Sequence, residues 1–181
     1  VSSVQISFNG GAWQDVTTSD DYANWTYTYT VPAAGTAEAV VAYQVKALDN
    51  ALAETTLDRQ VVIDVNPPEI TGISRPGPSQ IVNGRIDLSG QATDGYKLNA
   101  VYYHVGPEYV DGSSEAPVFD PAGPSADWTL LSGTYAWSAS GVDGFDTADL
   151  ADGDYTLYVV GLDSRDNYTD PNINSDPSPR R

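Results

Sequence analysis

The residues best equipped for chemistry in this chain are its aspartates. Asp and Glu together number 25 against 8 Lys and Arg, for a formal net charge of −17. Asp greatly outnumbers Glu, and Lys occurs only at Lys46 and Lys97. Short carboxylate side chains in loops are hard oxygen ligands, suited to calcium and its roughly six to eight oxygens. An acidic surface also keeps a protein dissolved at high salt, so calcium and halophily both suit the composition. The charge opposes nucleic acid and anionic lipid as partners, because phosphates are repelled. One loop carries Asp143, Asp146, Asp149, Asp152 and Asp154. It lacks the fixed Gly and Glu positions of an EF-hand loop.

Catalytic side chains are scarce. Cys is absent, so there is no thiolate nucleophile, thiolate metal site or disulfide. His104 is the only histidine and follows Tyr102 and Tyr103 on an alternating stretch. It reads as a structural histidine rather than a general base. Paired carboxylates can hydrolyse glycosides, but nothing in the spacing singles out a pair. The expectation is therefore a non-enzyme. Trp13, Trp25, Trp128 and Trp137 can pack between sheets or present a sugar-stacking face, and packing is the stronger reading. Asn24-Trp25-Thr26 and Asn167-Tyr168-Thr169 fit the N-glycosylation pattern. Asn24 opens a strand, which leaves Asn167 as the better acceptor.

The elements that must position these residues are short strands. Val4, Ile6 and Phe8 alternate with polar residues, and Asn9-Gly10-Gly11 marks a hairpin turn. Trp13 and Val16 belong to the return strand. Trp25, Tyr27, Tyr29 and Val31 alternate with threonines, and Pro32 ends that strand. Further strands are expected at Val41–Ala47, Leu57–Val65, Ile70–Ile73, Ile86–Ala92, Val101–Val105, Trp128–Leu131, Thr134–Ser140 and Tyr155–Leu162. Residues 106–127 are rich in Pro, Gly, Ser and acids and read as a long loop. The tail 171–181 reads as irregular. No stretch approaches the roughly 20 apolar residues of a membrane-spanning helix.

Asp64-Val65-Asn66-Pro67-Pro68 is a joint, since paired prolines stop a ladder and favour a short extended link. The halves on either side repeat. Lys46-Ala47-Leu48-Asp49-Asn50 matches Val160-Gly161-Leu162-Asp163-Ser164, and Val4–Phe8 matches Val101–Val105 in pattern. Many short strands without helices imply an all-β fold of two tandem immunoglobulin-like β-sandwiches, antiparallel and of Greek-key type. The expected modules are 1–66 and 67–170, the second with its insertion at 106–127. Both read as incomplete. The first begins at what would be a third strand, and the second has no obvious final strand. The chain is thus either a piece of a longer protein or a subunit that borrows strands.

The phrases Ile6–Trp13, Asn24–Tyr27, Ala47–Asn50, Asn66–Ile70, Leu88–Asp94 and Ala151–Leu157 together resemble the tandem immunoglobulin-like (Big or cadherin-like) repeats of bacterial and archaeal surface proteins. The resemblance implies an extracellular, non-catalytic spacer or adhesive module. In such a sandwich the incoming strand arrives beside the loops after the second and sixth strands. That places Asp64 and Asn66 near Asp94, Asp163 and Asp166, a candidate Ca²⁺ site, though each Asp can equally cap its own turn. Within the insertion, Tyr109 and Phe119, with Trp128 just beyond it, form the candidate binding surface. The expected partners are neighbouring copies or repeats of the same protein, or a cell-surface glycan or protein. A filament subunit assembled by strand complementation and a carbohydrate-binding accessory module are the alternative readings.

Overall fold

The computed structural model describes residues 1–31, 33, 39–107 and 117–171. The chain is all-β, with antiparallel sheets and, among the described residues, only a short 3₁₀ turn at Gly141–Asp143. It divides into two compact units, residues 1–65 and 66–181.

The first unit contains β1 (Ser3–Phe8), β2 (Gln14–Asp15), β3 (Thr17–Thr18), β4 (Trp25–Thr26), β5 (Ala39–Leu48) and β6 (Glu54–Ile63). One sheet runs β2-β1-β5-β6, and β3 pairs with β4. Alternation along β1 puts Val4 and Ile6 on the inner face, where Val16, Tyr22, Tyr27 and Val45 cover them. Asn9 and Gly10 turn the chain back with positive φ. The strand expected over Trp25–Val31 pairs only at Trp25–Thr26, because β3 offers two residues as partners. Tyr27 and Tyr29 still reach the core, with ring centroids 5.3 and 4.7 Å from Phe8.

The second unit contains β7 (Glu69–Arg75), β8 (Arg85–Ile86), β9 (Leu88–Thr93), β10 (Leu98–Pro107), β11 (Thr129–Leu130), β12 (Ser132–Gly133), β13 (Ala136–Ala139), β14 (Phe145–Asp146) and β15 (Tyr155–Asp163). Sheet β12-β13-β9-β7 and sheet β11-β10-β15 share a core of Leu88, Val101, Tyr103, Leu131, Trp137 and Val159. That core gives the unit a sandwich-like build. Trp137, 2% exposed, lies over Gly90.

The internal repeat has a structural counterpart. β2-β1-β5 and β11-β10-β15 have the same order. Val4 pairs with Ala47 and Val101 with Gly161, each two residues before the matched aspartate. The turn that follows is also the same. Asp49 Oδ1 accepts from the backbone N–H of Ala51 and Ala53, and Asp163 Oδ1 from those of Arg165 and Asn167. Leu52 and Asp166, three residues after each aspartate, both have positive φ. The units differ in their second sheet. Among the described residues, the first unit has no counterpart of β7, β8 and β9. Trp25 is consequently 38% exposed where Trp137 is enclosed.

Candidate functional site

The chain enters the second unit through Asn66-Pro67-Pro68. The Pro68 carbonyl accepts a 2.9 Å hydrogen bond from the buried Thr169 hydroxyl, whose oxygen in turn accepts from Gly161 N–H. Glu69 then pairs with Thr93. This places the entry beside Asp94, which follows β9, and Asp163, which ends β15 in the other sheet.

Asp94 and Asp163 bring carboxylate oxygens within 4.8 Å of each other. Asp163 is fully buried. Its Oδ1 caps the turn, and its Oδ2 accepts 2.7 Å from Asn167 Nδ2. Asp94 Oδ2 accepts from Tyr96 N–H, while Asp94 Oδ1 is buried and accepts no hydrogen bond within the described protein. Two carboxylates this close in a half-buried setting repel each other. A divalent cation on their free lone pairs would reverse the sign of that interaction.

Asp166 and the loop 143–154 stand apart from this pair. Asp64 and Asn66 are half-buried in the joint, each with an interaction of its own. Asp166 is exposed, and its positive φ serves the turn. It is not among the clustered carboxylates. In the loop 143–154, Asp146 is engaged by Arg85 Nη2 at 2.9 Å and by Ala148 N–H. The N–H of Ala148 and the Arg85 guanidinium together hold the Asp146 carboxyl below its usual range.

Of the candidate binding residues, Phe119 and Trp128 are 3% and 6% exposed, so their rings are spent largely on packing. They pack edge to face at 5.2 Å and cover the outer face of β10 and β15 with Tyr158, Val160 and Leu162. Trp128 Nε1 donates to the Val118 carbonyl. An alternating strand beneath explains this. β10 has Val101 and Tyr103 on one face and Ala100 and Tyr102 on the other, and both rows are apolar and need cover. Tyr109 lies outside the described residues.

Asn167, the candidate glycosylation acceptor, is half-buried and donates its amide Nδ2 to buried Asp163. His104 sits 5.6 Å from Trp128 and 6.0 Å from Tyr158 by ring centroids. Its Nδ1 lies 3.0 Å from the Asp127 carbonyl, which only accepts, so Nδ1 carries the proton. A shallow groove of about 380 Å³ beside it is lined by Val118, Asp120 and Asp127. No carboxylate is within hydrogen-bond distance of His104 to form a catalytic pair among the described residues.

Compared with protein-family models, curated proteins and solved structures, the chain matches none. The Asp49 and Asp163 turns could have been found in the sequence from their shared Leu-Asp phrase. The burial of Phe119 could not, because nothing local marks which loop folds back on a sheet.

Proposed function

We propose that the chain is a non-catalytic spacer or adhesive module of a cell-surface protein, built of immunoglobulin-like units and holding calcium in the second of them. The observation that carries this reading is the Asp94–Asp163 pair, with Asp94 Oδ1 buried and accepting no hydrogen bond. The pair lies where the joint feeds into β7. Pro68, where the chain enters the unit, is anchored by Thr169. Pinned His104 and the absence of cysteine support a non-catalytic role.

Calcium that binds the folded state raises its stability by mass action, by about 2.7 kcal/mol at a hundredfold excess over Kd. Thermal unfolding with added Ca²⁺, against chelator and Mg²⁺, tests this. A rise in melting temperature that Asp94→Asn abolishes is the expected result. An unchanged melting temperature for the parent protein rejects the site.

A further inference from the structure

We propose that the outer edge of β6 is a self-association surface, pairing antiparallel with β6 of a second copy about a two-fold axis at Arg59. β6 is the last strand of its sheet, and among the described residues nothing pairs with its outer side. It runs ten residues in unbroken register with β5, from Leu48–Glu54 to Ala39–Ile63. Natural sheets usually blunt such an edge with bulges, prolines or inward charges. β7, an edge strand of the second unit, follows that rule: its pairing with β9 is interrupted twice and Pro76 follows it. β6 has neither a bulge nor a proline, and its single core-face charge is Arg59, opposite Tyr43.

The side chains on β6 also call for a neighbour. Leu57 lies opposite Val45 and Val61 opposite Val41, so both belong to the face that carries the core. They are nevertheless 49% and 44% exposed, because the covering residues reach only β1 and β5. Extending the sheet sideways would bury both.

A second copy is the occupant because the strand is self-complementary about Arg59. With the axis there, Leu57 faces Val61 of the other copy twice, and Thr55 faces Ile63 twice, all on the core face. On the opposite face Asp58 meets Gln60 twice, a carboxylate against an amide donor. Only Arg59 meets itself. Like charges directly opposite are destabilising, and the net charge of −17 adds long-range repulsion. Both are screened by salt, with a Debye length of about 8 Å near physiological ionic strength. Association should therefore tighten as salt rises. An isologous pairing closes on itself, so this edge makes a dimer rather than a fibre.

The absence of cysteine makes a clean test available. Directly opposed residues of an antiparallel pair have Cα atoms about 4.5–5.5 Å apart, within disulfide range. Arg59→Cys should form a disulfide-linked dimer under mild oxidation, more completely at high salt. Thr55→Cys should not, since its copies lie roughly 25 Å apart in this register. Adding Leu57→Lys to Arg59→Cys should abolish the linked dimer while circular dichroism stays unchanged. Absence of an Arg59→Cys dimer overturns the proposal. Equal linking by Thr55→Cys, or a dimer indifferent to Leu57→Lys, overturns it too.

Discussion

Gly90 offers the sharpest test of how the second unit is packed. A Cβ at this position would lie 2.1 Å from Trp137 Cζ2 and 2.3 Å from the Gly72 carbonyl oxygen. Ordinary carbon contacts are about 3.5–4.0 Å, so Gly90→Ala overlaps its neighbours by roughly 1.5 Å on two sides. Neither side yields easily. Trp137 is enclosed by Leu88, Leu131 and Val159, and the Gly72 oxygen is backbone of the adjacent strand. Core overpacking costs about 1–3 kcal/mol where one side chain can shift. With two opposed contacts, the expected loss is about 3 kcal/mol or more. Urea unfolding followed by tryptophan fluorescence reads it, since buried Trp128 and Trp137 both belong to this unit. Trp137→Leu alone should also destabilise, through the cavity it leaves, by about 2–4 kcal/mol. Combined with Gly90→Ala it removes one of the two overlaps. The double variant should then be at least about 1 kcal/mol more stable than the two losses added. Strict additivity, or a Gly90→Ala protein within about 0.5 kcal/mol of the parent, would refute this packing.

Three further perturbations address the anchor, a turn and the acid side. Thr169→Val keeps the side chain's shape but leaves the Pro68 carbonyl and Gly161 N–H without this partner. It should cost about 2–3 kcal/mol in urea unfolding, with Thr169→Ser recovering most of it. Leu52 is 76% exposed and holds φ at +63°. Relieving about 1–2 kcal/mol of left-handed strain, less the 0.5–1 kcal/mol or so of extra chain entropy that glycine loses, Leu52→Gly should stabilise by up to about 1 kcal/mol, read as a higher urea midpoint. Asp146 has its carboxyl held below the ordinary 3.8 by Ala148 N–H and Arg85. Its contribution is full above that value and is lost as pH falls through the lower folded one. Asp146→Asn should therefore reduce the acid-side loss below about pH 4, seen in urea midpoints between pH 2 and 7.

Much of the strand layout was legible because alternation is a local signal. Val4, Ile6 and Phe8, or Val101, Tyr103 and Val105, announce one buried face within a few residues. The Leu-Asp phrase announced its turn for the same reason: Asp caps the N–H groups two and four residues on. What was not legible depends on distant partners. Trp25 and Trp137 look equivalent in sequence, yet only Trp137 finds a strand with a glycine to lie over. Phe119 looks like a loop aromatic, yet β10 and β15 present a second apolar face that needs it. Asp94 and Asp163 were foreseen together only through the resemblance, since 69 residues separate them in the chain.

The two matched turns show what the second unit adds to a shared design. Asp49 and Asp163 both spend Oδ1 on the same two N–H groups, so the turn alone explains an aspartate at each place. It does not explain why Asp163 is buried beside a second carboxylate. At 4.8 Å, two charges interact by about 1–3.5 kcal/mol for an effective dielectric between bulk water and a protein surface. The pair is a liability without a cation and an asset with one. Asp94→Asn separates these readings by sign. Asparagine keeps an acceptor for Tyr96 N–H and removes the repulsion with Asp163. In chelator, Asp94→Asn should therefore be more stable than the parent by about 1 kcal/mol or more, and it should lose the response to Ca²⁺. If Asp94 only caps its own turn, the substitution should be neutral in chelator and the parent should not respond to Ca²⁺ at all.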